Sequence, residues 1–437
     1  MEWWVTLSGG LLILLALFIL GLPIFVAFLI LNILGVFAFL GPAAFGMFAN
    51  SIFDTANVAE MTAIPLFILM GELLFRSGSI DILFDSVDKV VGRVKGRQYV
   101  LCIVLATIFG ALSGAAMGVA AMMGRSLFPG MVRRGYDAKL STGCILAGAS
   151  LAPIIPPSVL VIIIGTLADV SIAGLLIAGV MPGLLLSGLF LVYTFTRVNM
   201  DPALAGTADA DADAPRATLA EKLLAVLRVS PFAIVIFCVM GLILLGVATP
   251  SESAATGVLG AMATAAYYRR FNWKMFSESL TSAAFITAMI LAIMASSKMF
   301  SQLLAMSGST QELTTLVAGL DVHPYVMLLL MNLIPFIMCM FIDQIALMLI
   351  LIPIYQPLLT TLGFDPIWFW LLMLLNITVG GMTPPFGYTM FAFKGAAPEV
   401  ALSDIFSASW PFVFIFVLAM FVIALFPPIA TWLPGVL

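Results

Sequence analysis

Two stretches in each half of the chain concentrate the residue types that could handle ions inside otherwise apolar sequence. The first half has Leu112-Ser113-Gly114-Ala115-Ala116 and Ala152-Pro153-Ile154-Ile155-Pro156-Pro157-Ser158. The second has Phe341-Ile342-Asp343-Gln344 and Gly380-Gly381-Met382-Thr383-Pro384-Pro385. A double proline in a helix withdraws two amide donors and frees carbonyls further back. Freed carbonyls and hydroxyls are the oxygen ligands that Na⁺ takes, while an exposed helix N-terminus favours a carboxylate. One such break alone reads as a kink. Two at equivalent positions, each beside a polar tip, favour a binding role.

Single polar residues add to these stretches. Asp343 is an acid at membrane depth, which is costly unless used, and is expected to help cation binding or proton coupling. The bland reading is an acid at a wet cavity edge. Lys298 could attract an anionic substrate, snorkel, or pair with an acid. Asn376, just before the second break, could bind substrate or bridge helices. Arg125 is expected to reach the cytoplasmic interface. His323, the only histidine, is expected in a solvated external loop.

The elements that must position these residues follow from composition. The chain has 437 residues, 63% of them hydrophobic and 9% charged, with a mean hydropathy of +1.19. A soluble domain keeps roughly a quarter of its residues charged, so this is a membrane protein. Apolar runs of about 20 residues recur from end to end. They lack period-2 alternation, so a barrel is excluded and the expected fold is an all-α polytopic bundle. Cys102, Cys144, Cys238 and Cys339 lie in apolar stretches without metal-ligand spacing and read as small core residues. The segment Trp3 to Leu20 has no basic residue before it and reads as a retained helix. No Gly-x-x-x-x-Gly-Lys-Ser/Thr phosphate loop and no His-Glu-x-x-His occurs, which argues against ATP hydrolysis and intramembrane metalloproteolysis by this chain.

The 18 Lys and Arg set a topology. Basic loops near 89–97, 133–139, 216–228 and 269–274 are expected in the cytoplasm, and the loops near 42–58, 166–171, 247–251 and 319–324, free of Lys and Arg, outside. Both termini then lie outside, which is the periplasmic side in a bacterial inner membrane. Both ends of 100–132 are basic, and two legs of ~16 residues reach only roughly 24 Å each. The segment therefore reads as a re-entrant hairpin. Before it, Leu83, Phe84, Val87 and Val91 share one face of an interfacial arm helix, 79–97.

The two halves repeat one pattern. Gly135-Tyr136-Asp137 returns 228 positions later as Gly363-Phe364-Asp365, and Pro156-Pro157 as Pro384-Pro385. With basic residues switched between the halves, the expected architecture is an inverted repeat, as in secondary transporters. The first repeat is expected over 1–196, with scaffold helices 3–77, the arm, the hairpin, a broken helix 140–166 and a helix 172–196. A polar linker spans 197–228. The second repeat is expected over 229–437, with a hairpin at about 323–362 and a broken helix at 366–393.

Several motifs resemble one family. Gly110-Ala-Leu-Ser-Gly-Ala-Ala-Met-Gly-Val-Ala-Ala121, Ile155-Pro-Pro-Ser158, Ala178-Gly-Val-Met-Pro-Gly183, Gly246-Val-Ala-Thr-Pro-Ser-Glu-Ser-Ala-Ala255 and Gly381-Met-Thr-Pro-Pro-Phe-Gly387 are similar to the large membrane subunit of tripartite ATP-independent periplasmic (TRAP) transporters. The resemblance implies an elevator-type, Na⁺-driven importer of carboxylate-bearing organic acids, such as dicarboxylates, in the bacterial inner membrane, and no enzyme activity. It implies a small four-helix membrane subunit and a soluble periplasmic substrate-binding protein as partners. One Na⁺ site would form between Ser113, Gly114, Ala116 and Ala152, Pro153, Ile155. The other would join Asp343 to Gly380, Gly381 and Thr383. Substrate contacts are expected from Ser158, Lys298, Gln344, Asn376 and Pro385. The chain departs from the family's first tip, which commonly carries a further serine where Ala115 and Ala116 stand here. A stand-alone ion-coupled dicarboxylate carrier or antiporter is the rival reading.

Overall fold

The computed structural model of the protein describes residues 3–41, 45–78, 80–92, 94–206 and 218–436. These residues form a helical bundle, with one isolated antiparallel bridge between Tyr136 and Ala205. The first half carries α1 (Trp3–Ile19), α2 (Ile24–Gly35), α3 (Gly46–Ala56), α4 (Ala63–Arg76), α5 (Ile80–Val91) and α6 (Arg97–Ser113). It continues with α7 (Ala116–Ser126), α8 (Phe128–Arg133), α9 (Ala138–Ser150), α10 (Val159–Leu167) and α11 (Ile172–Met200). The second half carries α12 (Leu219–Ile236), α13 (Pro250–Tyr267), α14 (Trp273–Met306), α15 (Ser309–Ala318) and α16 (Pro324–Met338). It ends with α17 (Gln344–Leu362), α18 (Pro366–Gly380), α19 (Tyr388–Ala396), α20 (Leu402–Leu425) and α21 (Pro428–Val436).

Five helices are long and apolar enough to cross a membrane: α11, α12 with its continuation to Leu244, α14, α17 and α20. That count refers to the described residues. The segments flanking the double prolines are shorter, because each proline pair stops a helix that would otherwise have run on. Residues 151–158 separate α9 from α10, and residues 381–387 separate α18 from α19. Each break contains a cis peptide, Pro156–Pro157 and Pro384–Pro385. From Trp368 to Gly380, α18 is buried on every side, consistent with its unbroken apolar run.

The paired motifs have paired geometry. Gly135 and Gly363 both take positive φ, 79° and 69°. The aspartate two residues on then caps the following helix: the Leu140 amide donates to Asp137 Oδ1 at 2.7 Å, and the Trp368 amide to Asp365 Oδ1 at 2.8 Å. Such caps satisfy donors that the first turn of a helix leaves free. The motif Thr249-Pro-Ser-Glu252 has the same kind of local explanation. It is a capping box opening α13, in which the Thr249 amide donates to Glu252 and the Glu252 amide to Thr249 Oγ1.

Some boundaries differ from those expected. The arm helix ends at Val91 instead of 97, because Gly92 and Gly96 adopt positive φ (66° and 71°) and α6 starts at once afterwards. Its apolar stripe is met by protein: α5 packs on α12 and α6, with Leu83 and Val87 buried. Ser79 and Arg93 lie outside the described residues, as does 207–217 of the linker. The linker's described start is anchored. The Tyr99 hydroxyl donates to the Leu204 carbonyl at 2.6 Å, and the Asp137 amide to the same carbonyl at 3.2 Å. His323 caps α16 and stacks on Tyr325. Three cysteines are buried and Cys238 is half-buried, all of them free thiols.

At the junction of arm and hairpin, Arg97 is 2% exposed, and its guanidinium meets Asp88 Oδ2 at 2.5 Å and the Asp88 carbonyl at 3.0 Å. Burial lifts the Asp88 carboxyl above the usual carboxylate range, and the Arg97 guanidinium partly opposes that rise. A raised folded-state value means that ionised Asp88 costs stability, and the cost sets in as pH rises through it. Removing the cation by Arg97→Leu should therefore destabilise the purified protein by about 2 kcal/mol near neutral pH. Melting curves should show the loss shrinking as pH falls and Asp88 takes up a proton, because the protonated carboxyl no longer needs a partner.

Candidate functional site

The hairpin of α6 and α7 turns through Gly114 and Ala115. Gly114 closes α6 with φ of 60°, a conformation that side-chain-bearing residues rarely adopt. A Cβ on Gly114 would also come within 3.1 Å of the Pro157 carbonyl oxygen. One on Gly110, one turn earlier, would lie 2.9 Å from Ala152 Cα. Small residues thus let the first tip rest directly on the first break. Ser113 Oγ donates to the Phe109 carbonyl at 2.8 Å. Ser158 Oγ donates to the Pro153 carbonyl at 2.6 Å and accepts from the Val161 amide at 3.3 Å, closing the break like a clasp. On the far side, α11 backs the break: Gly179 faces the Ile154 carbonyl, and Gly183 faces the Ile155 side chain.

The second half repeats the contact with different side chains. Gly380 is packed so tightly against Cys339 that a Cβ would fall 2.8 Å from the Cys339 carbonyl oxygen. Asp343 caps α17, accepting from the Ile345 amide at 2.9 Å. The Tyr388 hydroxyl donates to Gln344 Oε1 at 2.6 Å, tying the tip to the first turn of α19. Phe341 and Phe386 add a ring contact at 5.8 Å between centroids. Thr383 Oγ1 donates to the Val379 carbonyl at 2.6 Å, and the Gly381 carbonyl accepts from both the amide and the hydroxyl of Thr389. At 19 residues, α17 is long enough to cross a bilayer by itself, whereas α7 has 11, so the two hairpins differ in their return arms.

The halves then interlock. The α7 helix of the first hairpin packs along α19 of the second broken helix, with Gly124 against Ala396 and Phe393, and Phe128 edge-on to Phe393 at 5.2 Å. In the reciprocal position α10 touches α17. Between these units and α4, α12 and α14 lies a cavity of about 400 Å³. The first tip, from Ser113 to Gly118, forms one wall, Gln344 and Tyr388 another, and Glu72, Phe75 and Met289 the opposite side. Gly71 of α4 lets the scaffold approach Ser113 closely, at 3.3 Å from the Cβ it lacks to Ser113 Cα.

Ser113, Gly114, Ala116 and Gln344 therefore share this cavity. Ala152, Pro153 and Ser158 stand behind the first tip; at the second, Asp343 caps α17, Gly380 meets Cys339, Gly381 meets the Tyr388 ring, and Thr383 binds back to the Val379 carbonyl. Ile155 points towards α11, and Pro385 lies exposed on the break. Asn376 is fully buried and bridges helices, donating to the Asn332 carbonyl at 2.6 Å. Lys298 is not brought to the tips. Its ammonium pairs with Asp54 at 3.5 Å beside a separate cavity of about 210 Å³ that Gln356 and Thr166 help to line. The sequence reading missed Tyr388, Glu72 and Gly71. Tyr388 was within reach, being the residue immediately after the recognised Gly381-to-Gly387 run.

Known proteins place this arrangement. Residues 11–429 match the profile described as tripartite ATP-independent periplasmic transporter, DctM component. The C4-dicarboxylate TRAP transporter large permease protein DctM of Pseudomonas aeruginosa is 29% identical, covering 89% of each chain. The ectoine TRAP transporter large permease protein TeaC of Halomonas elongata is also 29% identical, over 95% of this chain and 96% of its own. In fold, the chain is similar to the crystal structure of the Alcanivorax borkumensis YdaH transporter, with a TM-score of 0.63, 18% identity and 87% of each chain covered. These relatives are permease subunits and not enzymes. Matched over nearly its whole length, the chain belongs to the family of the DctM component of tripartite ATP-independent periplasmic transporters.

Proposed function

We propose that this membrane transporter subunit imports a carboxylate-bearing organic acid, coupled to Na⁺, through the cavity between its two halves. The observation that carries the reading is the meeting of the Ser113–Gly118 tip with Gln344 and Tyr388 around one space. Substrate and ion sites of inverted-repeat transporters lie at such an interface, among interrupted helices.

The oxygens at the breaks suit a hard monovalent cation. Ser113, Ser158 and Thr383 each spend their hydroxyl proton on a backbone carbonyl, so lone pairs remain as acceptors. Among the described residues no cluster of His, Cys, Asp and Glu could hold a transition metal. Ser113, Gly114, Ala116, Ala152 and Pro153 would supply one site, and Asp343, Gly380, Gly381 and Thr383 the other. A bound Na⁺ would provide positive charge beside the cavity for the substrate carboxylate.

Re-entrant hairpins related by inversion across the bilayer, with periplasmic termini, are the topology we assign. The interlocked α7–α19 and α10–α17 contacts favour an elevator, in which hairpins and broken helices move together past α4, α12 and α14. A small membrane subunit and a periplasmic binding protein complete the transporter in this reading.

Two measurements test it. Proteoliposomes containing the full complex should accumulate organic acid only under an inward Na⁺ gradient, and uptake indifferent to Na⁺ would sink the cation assignment. Asp343→Asn keeps a helix cap, because asparagine caps as well as aspartate, but removes the charge. Its Na⁺ half-saturation should rise by about tenfold, corresponding to about 1.4 kcal/mol of lost cation binding. An unchanged Na⁺ dependence would strike Asp343 from the site.

A further inference from the structure

The cavity between the halves has walls whose chemistry narrows the substrate. Phe75, Phe109, Phe232, Met122 and Met289 make it mostly apolar. Among its described lining residues there is no Lys or Arg; the one charged side chain is Glu72, whose carboxylate is held by Arg76 at 2.7 Å. An ionised group moved from water into such a space must find a partner or pay a large desolvation cost. A Na⁺ at a break could compensate one carboxylate. A second, on the Glu72 side, would meet apolar walls and a carboxylate already paired with Arg76, whose guanidinium is also engaged by Glu278 and Ser282 and so is not free to receive it.

Gln344 presents a neutral partner for that single carboxylate. The hydroxyl of Tyr388 donates to its Oε1, which fixes that atom as the acceptor end of the amide. The Nε2 end, with two protons, finds no acceptor among the described residues, and the residue lines the cavity. Amide donors to a carboxylate are charge-assisted and stronger than neutral hydrogen bonds.

Resting on the transport reading above, we infer that the substrate is an acid with one carboxylate and an apolar body, taken up head-first onto the Gln344 amide. Tyr388 is the positioning residue that holds this amide in its donating orientation. A dicarboxylate of the same length is rejected by the apolar wall beside Glu72.

The test uses the assembled membrane complex in lipid nanodiscs with Na⁺, titrated calorimetrically with hexanoate and with adipate. Hexanoate should bind at least about tenfold more tightly than adipate. Gln344→Glu, nearly isosteric but lacking the donor, should weaken hexanoate at least about tenfold, and Gln344→Met, which removes the donor without adding a charge to the apolar cavity, should weaken it to a similar extent. Tyr388→Phe should weaken it several-fold alone and add nothing in the Gln344→Glu background, since both changes remove the same contact. Adipate binding as well as hexanoate, full hexanoate affinity in Gln344→Glu, additive losses, or no hexanoate binding because lipid fills the cavity would each overturn the inference. Na⁺-driven uptake of dicarboxylates alone would overturn this inference and leave the transport reading standing. Failure of every acid to accumulate would remove the transport reading itself.

Discussion

In a lipid surrounding, a backbone carbonyl without a donor costs several kcal/mol, and this constraint governs the two proline breaks. Pro156-Pro157 and Pro384-Pro385 remove donors where none can be borrowed from water. The surrounding protein answers at both places. Ser158 turns back onto Pro153, Thr383 onto Val379, and Thr389 onto Gly381. Non-helical backbone survives at membrane depth only when it is packed in protein or lines a cavity, and the first break is packed between its tip and α11.

Close approach of backbones follows from that constraint. Each tip must sit on its break closely enough to cover it, which leaves no room for side chains between them. Gly110 and Gly114 face Ala152 and Pro157, and Gly380 faces Cys339. The cavity is the space left where these two covered breaks approach the scaffold helices α4 and α14. Its polar lining comes from Ser113 at the first tip, from Gln344 and Tyr388, and from Glu72 of α4, and its apolar bulk from the facing helices.

Much of this was legible in the chain alone, for identifiable reasons. Gly135 and Gly363 with their capping aspartates, and the two proline pairs, act within a few residues, so their spacing carries their meaning. The apolar composition decides between water and lipid without reference to any contact. Where reading left choices open, the missing information was long-range. Lys298 could have met a substrate, snorkelled or paired with an acid, and the structure pairs it with Asp54, 244 positions away. Asn376 similarly finds Asn332 on a neighbouring helix. The arm helix was read too long because a face of apolar residues hides the two positive-φ glycines that end its neighbourhood.

The sequence by itself determined that the protein is a membrane helix bundle, that it carries paired glycine–aspartate and double-proline motifs, and where its helices are interrupted. These depend on composition and on neighbours in the chain, which physics reads locally. Tertiary structure alone decided which interrupted segments meet. It set α7 against α19, turned the Gln344 amide by the hydroxyl of Tyr388, and placed Glu72 across from the first tip. Such choices come from packing surfaces brought together over hundreds of residues, where shape and hydrogen-bond satisfaction are settled jointly and no short motif records the outcome.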